Sequence, residues 1–140
     1  MKTPTVDASN LAKELNLQNL YLKREDQHEY GSHKGRSIPT MMMHYIRNDQ
    51  RKFVVSSSGN AAIAAIRKTK EFNQNNEDEV QLKIFIGKKI NQQKKERLEE
   101  EIGNTKNIKL KQKERPKKEA FQINKESEHV VFLRQSTDDV

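Results

Sequence analysis

The 140-residue sequence has no cysteine, which excludes a disulfide frame, a thiolate metal site and a thiol nucleophile. Aromatic residues are scarce at 6%, and apolar residues reach only 32% against 34% charged. With so little apolar material, nearly every apolar position that a core could use must be buried, and marginal stability is expected of the chain alone. No run approaches the roughly 18–20 consecutive apolar residues that a membrane span requires. The first ten residues, MKTPTVDASN, lack the apolar stretch of a secretory signal. A soluble, cytoplasmic protein with no membrane partner is expected.

What the chain has in quantity is lysine, and the net charge is +7. A basic balance raises nucleic acid as a partner. Lys88-Lys89, Lys94-Lys95 and the stretch from Lys109 to Lys118 are the basic clusters, but Glu99-Glu100-Glu101 interrupts them. Single-strand binding needs aromatic rings among the basic residues, and few are present. The lysines therefore read as a solvated face, with a nucleic-acid-binding module as the rival reading. No metal site is expected, because His28, His33 and His44 do not share a helix at i, i+4 spacing. The Met41-Met42-Met43 run reads as core filler.

Short apolar runs alternate with segments of helical period. A short helix with Leu11 and Leu15 on one face precedes a strand at Asn19–Lys23. Ser37–Arg47 reads as a helix opened by Pro39, with Ile38, Met41, Met42 and Tyr45 as its buried stripe. Phe53–Val55 is a strand, Asn60–Phe72 a helix rich in alanine and isoleucine, and Asn73–Val80 a polar loop. Leu82–Ile86, Ile108–Leu110 and Val130–Leu133 are further strands. Helices at Asn91–Ile102, stopped by Gly103, and at Pro116–Glu126 lie between them. This alternation predicts an α/β fold, a largely parallel sheet with helices on both faces.

Ligands of such sheets bind beyond the carboxyl ends of the strands, and two strand-to-helix junctions carry unusual chemistry. The first runs through Tyr30-Gly31-Ser32-His33-Lys34-Gly35-Arg36, and the second is Ser56-Ser57-Ser58-Gly59-Asn60. A lysine at a helix start meets the positive end of the helix dipole, which disfavours its protonated form, as a nucleophilic amine requires. By spacing alone Lys34 reads as one solvated lysine among many. The serine-rich turn can hold a carboxylate or phosphate on its amides. Taken alone it reads first as a tight loop with Ser58 or Asn60 as the N-cap.

Taken together, NLYLKREDQHEYGSHKGR and FVVSSSGNAAIAA, with Lys34 and Asn60 26 positions apart, resemble the paired signature of fold-type II pyridoxal-phosphate (PLP) enzymes. Threonine synthases, serine/threonine dehydratases, cysteine synthases and the tryptophan synthase β subunit belong to that superfamily. The resemblance implies that Lys34 holds PLP as a Schiff base and moves protons at the substrate Cα. It implies that Asn60 bonds the 3′ oxygen of the cofactor and that Ser57, Ser58 and Gly59 receive the carboxylate of an amino-acid substrate. His33 would pack near the cofactor phosphate by analogy with the tryptophan synthase β subunit, or simply satisfy loop backbone. The segment SSGNAAIAA is most similar to threonine synthases, with the dehydratases second.

The chain departs from the family pattern in two respects: the residue that contacts the pyridine nitrogen has no counterpart, and the phosphate cup is missing. Its five glycines are never adjacent, so no glycine-rich phosphate cup occurs. The resemblance therefore implies an incomplete N-terminal part of such an enzyme. Residues 1–36 would be a segment bearing the lysine, and 37–133 a small α/β domain. The partner expected is a second copy in a homodimer or a second chain supplying the missing half, and the isolated chain, truncated or split, is expected to turn over poorly or be inactive.

Overall fold

The computed structural model describes residues 2–134. Its centre is a four-stranded, wholly parallel sheet. The strands are β3 (Lys52–Ser56), β4 (Gln81–Gly87), β5 (Ile108–Lys113) and β6 (Val130–Phe132), in the spatial order β5-β4-β3-β6. Each parallel step needs a crossover, and α3 (Asn60–Asn75), α4 (Gln92–Ile102) and α5 (Pro116–Glu126) supply them. The expected parallel sheet with helices on both faces is observed.

Alternation along the strands divides the apolar residues between two cores. Phe53, Val55, Leu82, Ile84 and Ile86 pack with α3, α4 and the helix α2 (Ile38–Arg47). Val54, Phe85 and Phe132 point the other way and pack on α5 through Ala120. The larger core needs small residues because α3 lies close on the sheet, and Ala62, Ala64 and Ala65 are fully buried there. Met41 and Met42 are buried in the same core, as the filler reading expected. The inner face of α2 is completed by Ile46 rather than Tyr45, which is only half-buried.

The N-terminal region differs from the expectation. Thr5–Asp7 forms a strand, β1, which pairs antiparallel with β2 (Tyr21–Lys23) in a separate two-stranded ribbon. The strand expected at Asn19–Lys23 is thus shorter and does not join the parallel sheet. Between these strands, α1 (Ser9–Glu14) buries only Ala12, while Leu11 and Leu15 are 41% and 56% exposed, so the expected apolar face points outward.

Two other boundaries moved. The helix expected to end at Phe72 continues to Asn75, because the Asn73 side chain accepts from the Val80 N–H (2.7 Å) and donates to its carbonyl (2.9 Å). Strand β5 continues to Lys113, paired with Gly87, since ladder bonds belong to the backbone and are indifferent to the charged side chains Lys111 and Lys113. No helix among the described residues is long and apolar enough to cross a membrane.

Candidate functional site

The lysine-bearing loop is irregular backbone held in place by long-range side-chain contacts. After β2 comes a one-turn 3-10 helix, Glu25–Gln27, and then a second, His33–Arg36. Ser32 caps the second turn: its buried side chain accepts from the Lys34 N–H at 3.2 Å. Lys34 therefore sits in a 3-10 turn that leads through Ser37 into α2, and not in the first turn of the α-helix itself. His33 on the same turn is exposed.

Two glycines make this path possible. Gly31 has φ +82°, a left-handed conformation that favours glycine, and a Cβ there would lie 3.1 Å from Arg67 Nη1. A Cβ on Gly35, next to the lysine, would come within 2.5 Å of Nδ1 of His28 and 2.6 Å of Tyr30 Cβ. His28 is buried, and its Nδ1 accepts from the Tyr30 N–H at 3.2 Å.

Three polar anchors fasten the loop. Glu25 accepts from Arg36 Nε and Nη2, each at 2.7 Å, and from the Thr3 hydroxyl. The Arg36 guanidinium, then the Thr3 hydroxyl, hold the Glu25 carboxyl down at about 2. Tyr30 donates its hydroxyl to Glu71, which also accepts from Lys68 at 2.9 Å. Burial, then the neighbouring Glu71, pushes the Tyr30 hydroxyl up, so it stays protonated and keeps donating. Arg67 donates to the Glu29 carbonyl at 3.0 Å and pairs with Glu101.

Arg67, Lys68 and Glu71 all lie on α3, and α3 begins at Asn60. One helix thus frames both candidate loops. The Arg67 anchor lies seven residues beyond Asn60, about 10 Å along the axis. The second loop leaves β3 at Ser56. Ser57 Oγ accepts from the Gly59 N–H at 3.2 Å, and Gly59, not Ser58 or Asn60, is the N-cap. No side chain caps α3, so its first-turn amides remain available to an anion. Space above Gly59 is open, since a Cβ there meets nothing within 4 Å. Asn60 is exposed and its amide has no partner among the described residues. Nor does a hydrogen bond join the Lys34 side chain to this loop among the described residues.

The chain's own residues offer groups of the kind that PLP and an amino-acid carboxylate would need: a primary amine at 34, an unpartnered amide at 60 and an uncapped helix start after Ser57 and Ser58. Sequence reasoning found those positions but missed their supports. Glu25–Arg36, Arg67–Glu101 and Tyr30–Glu71 join residues 11, 34 and 41 positions apart. The one local hint was a charged pair, Arg67-Lys68, following an alanine-isoleucine run.

Comparison with known proteins gives a consistent picture. The model of a family described as pyridoxal-phosphate dependent enzyme matches residues 1–139. No curated protein matches in sequence. Threonine deaminase isoform 2 from Solanum lycopersicum superposes with a TM-score of 0.74 at 22% identity, covering 99% of this chain and 36% of the deaminase. An L-serine ammonia-lyase from Rhizomucor miehei gives 0.73 at 21% identity, covering 99% and 41%. Diaminopropionate ammonia lyase from Escherichia coli gives 0.78 at 9% identity, again covering 99% and 41%. At these identities the likeness establishes the fold, and this chain spans about two-fifths of the length of these structures.

Proposed function

The chain belongs to the pyridoxal-phosphate dependent enzyme family, and from that premise we propose that it supplies the cofactor lysine and the carboxylate-binding loop of an amino-acid lyase. Lys34 is the amine that holds the cofactor and then carries the proton at the substrate Cα. Asn60 donates its side-chain amide to the cofactor's 3′ oxygen. Ser57, Ser58 and Gly59, with the first amides of α3, would receive the substrate carboxylate, and His33 would contact the cofactor phosphate. PLP supplies the electron sink for charge developing at Cα, while the protein orients and excludes.

The observation that carries this reading is the shared frame. The Arg67 bond to the Glu29 carbonyl and the Tyr30 bond to Glu71 fasten the lysine loop to the helix whose open end follows Ser57–Gly59. The sequence of that loop suits a threonine synthase-like replacement or a dehydratase-like elimination. Of the two we take elimination with release of ammonia from a serine- or threonine-type substrate as the reading to test first, in keeping with the threonine deaminase and the serine ammonia-lyase among the similar structures. Since those proteins are more than twice as long, full turnover is proposed to need further polypeptide.

Titrating the chain with PLP tests the reading. A saturable visible absorbance band is expected, lost in Lys34→Ala and altered by L-serine or L-threonine. A band of the same strength in Lys34→Ala would refute it.

A further inference from the structure

At the amino ends of the strands, remote from the Ser57–Asn60 turn, a cavity of about 230 Å³ opens over the face that α5 only partly covers. Lys52, Lys83, Lys106 and Lys109 line it, together with the amide side chains of Gln81 and Asn107, and no carboxylate does. Lys52 begins β3 and Ser56 ends it, so this site lies about 13 Å along the strand from the candidate substrate loop. It plays no part in the function proposed above.

The arrangement of these lysines is unfavourable without a counter-charge. Lys83 on β4 and Lys109 on β5 are direct register partners, so their side chains leave the sheet on one face, side by side. Like charges directly opposed across strands destabilise a sheet. Nine ion pairs occur among the described residues, and they use Arg24, Arg36, Arg51, Arg67 and four lysines elsewhere. None of the four cavity lysines forms one, and none makes a side-chain hydrogen bond there. Among the described residues no acidic side chain pairs with this concave group of cations.

We propose that this cavity is a binding site for a small, multiply charged phosphate compound, with the ammonium groups of Lys52, Lys83, Lys106 and Lys109 as its ligands. The half-buried Ile123 and Val130 give it one apolar wall, suited to a short organic portion. The volume falls below the roughly 300–1,000 Å³ of pockets for drug-sized molecules, which favours a compact oligophosphate. A nucleic acid strand would need a continuous groove with stacking rings, and no aromatic ring besides Phe53, itself buried, lines the cavity.

Isothermal titration of the full 140-residue chain with inorganic tripolyphosphate, with and without saturating PLP, tests the proposal. One site per chain is expected, in both conditions, with affinity falling on the order of tenfold in Lys83→Gln/Lys109→Gln. Because Lys83 is half-buried, Lys52→Gln/Lys106→Gln at two exposed positions is measured as well and should show the same loss. A control pair of equal charge, Lys94→Gln/Lys117→Gln on exposed helix positions, should keep wild-type affinity. Equal weakening in the control pair, or the absence of saturable binding, would overturn the site in favour of a diffuse basic surface. Tighter binding of a short DNA oligonucleotide through the same lysines would also overturn it.

Discussion

Substituting alanine for Gly35 probes whether the loop around Lys34 is held as rigidly as its contacts indicate. The added Cβ would fall 2.5 Å from His28 Nδ1, 2.6 Å from Cε1 of the same ring and 2.6 Å from Tyr30 Cβ. Contacts this short force a neighbour to move, and neither neighbour is free. His28 is 6% exposed and accepts the Tyr30 N–H, while the Tyr30 hydroxyl is tied to Glu71 on α3. Overpacking of this kind costs about 1–3 kcal/mol. For a chain of this length that corresponds to a drop of about 3–10 °C in Tm. Chemical and thermal denaturation measure the loss. The double variant Gly35→Ala/His28→Ala should recover part of it, with a coupling of about 1 kcal/mol between the two sites. A Gly35→Ala variant as stable as the parent would refute the packing argument, as would strictly additive single and double variants.

Two other substitutions separate stability from function. Asn60→Ala should leave the unfolding free energy within about 0.5 kcal/mol, because Asn60 is exposed and does not cap α3, yet weaken PLP binding measured by absorbance titration. Glu25 has its carboxyl lowered from 4.5 to about 2 by Arg36 and Thr3. Its contribution to stability is therefore complete above pH 4.5 and lost as the pH falls from there toward about 2. Urea denaturation across that window should show a shallower pH dependence for Glu25→Gln than for the parent, and lower stability for the variant at neutral pH.

The parts legible in the sequence were those set by local rules. Phe53–Val55 and Leu82–Ile86 announce themselves as short apolar runs, and the alternation of β4 between two cores follows from its period of two. Helix α4 carries its own start and stop, since Asn91 accepts from the Lys94 N–H and Gly103 ends it with φ 56°. What stayed hidden depended on partners remote in the chain. Thr5–Asp7 is a strand only because Tyr21–Lys23 pairs with it, and nothing in three mixed residues signals that. The outward face of α1 could not be read either, because Leu11 and Leu15 have normal helical spacing but no surface to cover among the described residues. At the candidate site, the chemistry-bearing residues stood out as a spaced pair of motifs. Arg67 and Glu71 did not, because their work is to hold Glu29 and Tyr30 to α3, across 38 and 41 positions.

The central claim is that one amine among many lysines is the cofactor's anchor. Incubating the chain with PLP, reducing with borohydride and mapping the modified peptide by mass spectrometry tests it most directly. The account predicts one pyridoxyl group, on Lys34, at limiting PLP. Label distributed over exposed lysines, with Lys34 no more modified than Lys94 or Lys117, would contradict it.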